Sequence, residues 1–220
     1  MENFSPEQLI EIENQLSCPN GQFGIDIGQN MHSTNLGMIT SSIHALAIAN
    51  GNKVLEIGHG NCHHLPIILE QAENIQFYGL EISETMKAEA ELKNKEHLKQ
   101  QRVEFTRYDG ISIPFPDNSF DKVMTANTIY FWKNPLPFLA EIYRVIKPNG
   151  TLVIAFAQKE FMKNLPFVRE KFQLYNNQDL SDLVSKSSFK LISIHDKTEN
   201  VIGTANELIN RNYAVAVLEK

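Results

Sequence analysis

One stretch, Val54-Leu55-Glu56-Ile57-Gly58-His59-Gly60-Asn61-Cys62, constrains the chain more than any other. A lysine and a short apolar run lead into it and a helix-like stretch follows. It therefore reads as a buried strand, a glycine turn and a helix start. An acid, Glu56, sits two residues ahead of the first glycine. Open α/β sheets receive nucleotide-like ligands at such turns. Gly58 and Gly60 lack a Cβ and let the backbone approach a ligand, while the unpaired N–H groups of a helix start attract an anion.

The rest of the chain has to supply a sheet for that turn. Its 220 residues suffice for one large core, and 42% hydrophobic with 21% charged residues is ordinary globular composition. A net charge of −6 argues against a nucleic-acid partner held by phosphate neutralisation. No apolar run approaches the ~20 residues that span a bilayer. The start lacks the basic and apolar segments of a signal peptide. Cys18 and Cys62 alone give no disulfide framework, which suits a reducing compartment. A cytoplasmic protein is expected, with no nucleic-acid partner and no membrane span; composition says nothing of oligomeric state.

Ahead of Lys53 the pattern predicts a helix over 6–16, capped by Ser5 with Pro6 in its first turn. Three glycines within 18–28 read as turns, and a second helix over 31–49 ends with Gly51 as a left-handed cap. Residues 1–52 are expected to form a helical cap on a domain of residues 53–220. From Lys53, strands over 53–57, 75–81, 103–107, 120–126 and 151–157 alternate with helices over 63–73, 83–99 and 136–146. The alternation predicts an α/β, Rossmann-like, doubly wound, mostly parallel sheet with helices on both faces. Beyond Ala157 the rhythm breaks. A covering segment over 158–177 and a helix over 179–187 precede strands over 189–194 and 213–218. Residues 207–211 supply at most a turn or two of helix, so the last strands are expected to pair antiparallel at the sheet edge.

The details of the glycine turn discriminate between ligands. A dinucleotide fingerprint needs glycine at 63, and His63 stands there. Glu81 ends the second strand about twenty residues after the turn, where a carboxylate can accept both hydroxyls of a ribose. It could also serve only to offset the dipole of the helix that follows. Asp109 follows the third strand at the same edge and could accept from an adenine amino group, although Asp before Gly is a common turn pair. His59, Cys62, His63 and His64 are metal-ligand residue types, but neighbouring side chains on a tight turn rarely converge on one ion. No metal is expected.

Four motifs in order then carry a resemblance. They are Val54-Leu55-Glu56-Ile57-Gly58-His59-Gly60, Gly79-Leu80-Glu81-Ile82-Ser83, Ile113-Pro114-Phe115-Pro116-Asp117-Asn118-Ser119-Phe120-Asp121 and Lys147-Pro148-Asn149-Gly150. The chain resembles the class I S-adenosylmethionine (SAM) dependent methyltransferases, in the type 11 group that includes ubiquinone- and menaquinone-biosynthesis-like enzymes. The resemblance implies a seven-stranded sheet with a final antiparallel strand, and SAM as cofactor. It implies that Glu56, Gly58, His59 and Gly60 border the methionine moiety. Glu81 with Ile82 would then lie at the ribose, and Asp109, Gly110 and Ile111 at the adenine. The stretch after the fourth strand would face the reacting methyl. Asn127 is thereby assigned to the cofactor, and with Tyr130 and Trp132 to the acceptor pocket. Met31, His32 and Asn35 are further pocket candidates from the cap, His32 reading first as a helix-start residue. Cys62 departs from the family pattern, which usually has a third glycine there.

The expected activity is methyl transfer from SAM to a small molecule by in-line displacement. A SAM-binding regulatory or assembly module without turnover is one alternative, and a nicotinamide-dependent oxidoreductase, disfavoured by His63, is another. No residue stands out as an obligatory base; for a phenol or alcohol acceptor, His32 or Tyr130 come first.

Overall fold

A computed structural model describes residues 4–202 and 208–220. Helix α1 spans Pro6–Ser17, and Ser5 caps it as the motif predicts, its hydroxyl accepting from Gln8 N while Gln8 returns a bond to Ser5 N. The next segment departs from expectation. Residues 18–28 do not form a run of turns, because α2 begins at Gly21 and continues unbroken to Leu46. Its glycines serve packing: a Cβ on Gly24 would lie 2.8 Å from the Pro19 carbonyl carbon, and one on Gly28 would lie 2.5 Å from Met86 Sδ. The helix closes at Ala47, itself left-handed at φ 47°, rather than at Gly51.

Strands β1 (Lys53–Ile57), β2 (Gln76–Glu81), β3 (Val103–Arg107) and β4 (Phe120–Ala126) fall where the apolar runs place them. Strand β5 covers Ile146–Ala157, earlier than expected, with the Lys147-Pro148-Asn149-Gly150 turn absorbed as a register shift against β4. The helix after the glycine turn is α3, Leu65–Leu69, shorter than its pattern. The backbone of Glu73 is held instead by Asn50 Oδ1 and Gly51 N. The predicted helix over 83–99 is two, α4 (Glu84–Lys93) and α5 (Lys95–Lys99). Buried Asn94 separates them, its amide donating to the carbonyls of Ala90 and Cys62.

Helix α6 (Pro135–Val145) returns the chain to β5, and short α7 (Lys159–Met162) lies within the covering segment. Helix α8 (Asn177–Val184) precedes β6 (Lys190–Ile202) and β7 (Leu208–Glu219). The expected helical turn at 207–211 is corrected from Leu208 onward, which is strand; Glu207 lies outside the described residues. Thr198 to Ile202 pair with Asn212 to Leu208, so each partner's ladder replaces a helix.

The sheet order is β3-β2-β1-β4-β5-β7-β6, with β7 antiparallel to both neighbours and the other pairs parallel. The strand order reverses between β1 and β4, the chain running outward to β2 and β3 on one side and to β5 on the other, so the carboxyl ends of these two strands open a crevice. Helix α2 packs on β4, β5 and β7 and against α4, which lays it along that crevice. The long β6–β7 hairpin reaches the same helix, with Glu199 seated against Gly37. Among the described residues no helix is long and apolar enough to cross a membrane.

Candidate functional site

The crevice is a partly open cavity at the carboxyl ends of β1 and β4, where an α/β sheet of this kind receives its ligand. Its floor is the glycine turn. Gly58 and Gly60 adopt φ +74° and +57°, the left-handed region that favours glycine. A Cβ on Gly58 would lie 2.5 Å from Thr128 Cγ2, whereas one on Gly60 would meet nothing within 4 Å. Gly58 is thus a packing necessity, and Gly60 an open cradle facing the cavity.

Glu81 is buried beside that cradle. Its Oε2 accepts from Gly60 N at 2.9 Å, and its Oε1 from Ile82 N and Ser83 N at 2.8 and 3.0 Å. Ser83 caps α4 through Met86 N. The acid therefore braces the turn and the helix start at once. Glu56 is equally buried and lies 2.8 Å from His64 Nε2. His59 is buried against Phe105, its Nδ1 2.8 Å from the Gly60 carbonyl and its Nε2 without a partner; burial lowers its pKa.

Of the residues assigned to adenine, Gly110 lines the cavity. Asp109 is exposed and its Oδ1 closes a turn by accepting from Ile111 N and Ser112 N at 2.8 and 2.7 Å, the turn role that an Asp-Gly pair also allows. Ile111 is 52% exposed and points away. Tyr108, overlooked in the sequence, lines the wall in their place, and burial pushes its phenol pKa up. An aromatic directly after a strand and next to Asp109 was the available signal.

The opposite wall joins elements distant in sequence. Asn127, left-handed at φ 57°, donates from Nδ2 to Asn35 Oδ1 at 2.8 Å. Arg211 Nη1 donates to the same oxygen at 2.8 Å, Nη2 to the Thr34 carbonyl, and Nε and Nη2 to Glu199 Oε1. Tyr130 does not line the cavity. It is buried with its hydroxyl 3.1 Å from both Asn127 Oδ1 and the Ala157 carbonyl, and burial raises its pKa. It shapes the wall from behind. Trp132 does line it, its Nε1 donating to Thr128 Oγ1.

His32 is not a helix-start residue, since α2 begins eleven residues earlier. It lines the cavity beside Met31 and Asn35, stacked near His63 and His64 with an unpartnered Nδ1. Burial first, then the neighbouring His64 and His63, lower its pKa to about 4, so it is neutral at pH 7. Among the described residues no Lys or Arg lines the cavity.

Cys62, at the position where the resemblance leads one to expect a third glycine, is left-handed at φ 45°. Its side chain is fully buried, and burial, with Glu56 and Glu81 nearby, raises the thiol pKa well above the usual range. The expectation that the His and Cys run would not converge is corrected in part. Ligand-type atoms of Glu56, Cys62 and His64 lie within 4.8 Å of one another. His59 and His63 are not in that group. The strand brings in Glu56, which spacing along the turn alone does not reveal.

A family described as a methyltransferase domain matches residues 55–154, from β1 through most of β5. An uncharacterized methyltransferase, YdaC of Bacillus subtilis, is 26% identical over 133 residues, covering 60% of this chain and 71% of that one. A demethylmenaquinone methyltransferase of Lactococcus lactis is 34% identical over 97 residues, 44% of this chain but 37% of that relative. A solved SAM-dependent methyltransferase from Aquifex aeolicus shares the fold, with TM-score 0.61 and 21% identity over 98% of this chain and 99% of that one.

Proposed function

From the premise that this chain belongs to the class I SAM-dependent methyltransferases, we propose that it methylates a small acceptor without formal negative charge. The observation that carries the reading is the open cradle at Gly60, set beside the Glu81 carboxylate at the crevice of β1 and β4. A nucleoside with vicinal hydroxyls and a cationic tail fits a cavity that offers two carboxylates, glycine backbone and aromatic faces.

Glu81 and Ile82 would hold the ribose. Glu56, Gly58, His59 and Gly60 would border the methionine moiety, and Gly110 with Tyr108 the adenine. Asp109 would contribute from the rim through its second carboxylate oxygen, with Ile111 outside. SAM supplies an electrophilic methyl on a sulfonium. The chain's own contribution is alignment, worth most of the rate in a displacement that needs little proton chemistry.

Asn35, Asn127, Trp132 and Phe131 would form the acceptor wall. A carboxylate or phosphate acceptor would be stripped of water there with no cation to receive it, which is costly. Neutral His32 would accept a hydrogen bond from an acceptor O–H or N–H and orient it; with a pKa of about 4 it is a positioning group more than a strong base. Tyr130, turned into the core, would act only by fixing Asn127.

The test is a calorimetric titration of the full chain with SAM, S-adenosylhomocysteine and NAD, followed by incubation of labelled SAM with cell extract. SAM and S-adenosylhomocysteine binding, no NAD binding and labelled neutral or cationic products are expected. NAD binding in place of SAM overturns the cofactor assignment. SAM binding with no product in any extract favours a module without turnover.

A further inference from the structure

We propose that Glu56, Cys62 and His64 form a site for one soft divalent cation of the zinc class, held in the SAM-free protein with its fourth position open to the cavity. The three side chains belong to β1, the glycine turn and the entry to α3, and each is at most 2% exposed. Their ligand-type atoms lie within 4.8 Å of one another. Around a tetrahedral ion with bonds of ~2.0–2.3 Å, ligand atoms sit roughly 3.4 Å apart. Binding an ion therefore requires the three side chains to draw together by up to about 1.4 Å.

Two further observations point to the same place. Cys62 keeps a side chain where the backbone is left-handed, φ 45°, a conformation unfavourable to a non-glycine residue and one that clusters at functional positions. Core filling alone is a weak return for that strain, and the side chain is aimed at a carboxylate and an imidazole. Glu56 and His64 both line the cavity, so the site has an entry path and room for a fourth ligand, a water. One thiolate, one imidazole and one carboxylate are a donor set that suits zinc, and their two negative charges neutralise it.

Binding exchanges bonds without redox chemistry. The ion displaces the Glu56–His64 hydrogen bond, the Cys62 S–H proton leaves to solvent, and the sulfur, a ring nitrogen and a carboxylate oxygen each donate a pair. Because Glu56 is also proposed to border the methionine moiety, ion and SAM exclude one another. That consequence alone rests on the cofactor reading.

The test uses the full, metal-free chain and Co2+ as a zinc surrogate, read by absorbance, with Zn2+ added afterwards in competition. One ion per chain with a thiolate-to-cobalt charge-transfer band is expected, displaced by Zn2+. Cys62→Ser should abolish the band, and Cys62→Ser and His64→Gln should each weaken Zn2+ binding at least ~100-fold. Thermal melts without metal establish that both variants fold. Absence of the thiolate band in the unaltered protein overturns the proposal whatever the variants do, as does Zn2+ affinity unchanged in both. A separate SAM titration of metal-free protein distinguishes the readings. SAM failing to bind sinks the cofactor assignment and leaves the ion site standing; SAM binding with no ion band does the reverse.

Discussion

The two walls of the cavity are built on different principles. The proposed cofactor wall is local: the turn after β1 and the acid ending β2 are neighbours through adjacent strands, and one carboxylate, Glu81, satisfies three backbone donors. The facing wall is lined by α2 and the loop after β4 and backed by the β6–β7 strand pair, whose Arg211 reaches across 176 positions of sequence to Asn35. A local wall costs little loop entropy and holds its shape whenever the sheet forms. The assembled wall exists only if α2 and the hairpin dock together. Damage to it should therefore appear in stability, and damage to the first wall in cofactor affinity.

The sharpest challenge to that division is Arg211→Met. The guanidinium is 7% exposed and its partner Glu199 18%, so the variant strands a partly buried carboxylate and frees Asn35. Breaking such a pair costs about 3 kcal/mol, or a melting point lower by roughly 6–12 °C in a chain of this size. SAM affinity measured well below the transition should stay close to the unaltered protein. An unchanged melt would mean the hairpin does not hold the wall.

Next comes Glu81→Ala, which removes charge-assisted bonds worth ~1.5–3 kcal/mol and should weaken SAM about ten- to a hundred-fold by calorimetry. Glu81→Gln keeps one acceptor oxygen, enough for the Ile82 and Ser83 amides or for Gly60 N but not for both, and removes the charge. It separates bracing of the turn from charge on the ribose: recovery of affinity in Gln would assign the effect to bracing.

His32 gives the assembled wall a pH dependence. The unfolded chain protonates this residue below about 6.5 and the folded chain only below about 4. In that window the folded state binds fewer protons, so stability is fully present above the unfolded value and falls as pH drops. With the ring only partly buried, screening reduces the effect to about 1 kcal/mol. His32→Gln should flatten that part of a pH series of denaturant melts; an identical slope would remove His32 from the account.

The smallest effect is expected at Cys62→Gly. Relief of a left-handed backbone, ~1–2 kcal/mol, opposes the loss of a buried side chain and the added freedom of the unfolded chain. Stability should change by less than about 1 kcal/mol and SAM affinity should hold. A large loss of SAM affinity would make the thiol part of the cofactor wall.

Legibility in the sequence follows the same division. Strands β1 to β4, the turn and Glu81 were readable because strand period and glycine placement are local signals. The glycines at 24 and 28 misled for a physical reason: without neighbours in view, a glycine that lets α4 approach α2 looks the same as one that breaks a helix. Tyr130 read as a pocket residue because it follows β4. The 3-10 turn at Ile129–Phe131 rotates it inward instead. The β6–β7 ladder beyond 194 could not be seen, since its exposed, alternating residues are stabilised by each other and not by a core.

The amino-acid sequence alone determined the doubly wound sheet, the glycine cradle and the acid beside it, because hydrophobic period and missing side chains act over a few residues. Only the tertiary structure decided that Arg211 and Asn127 share Asn35, that His32 faces the cavity, and that Glu56 meets Cys62 and His64. Those contacts depend on the angles at which whole elements pack, and no short stretch of chain encodes them.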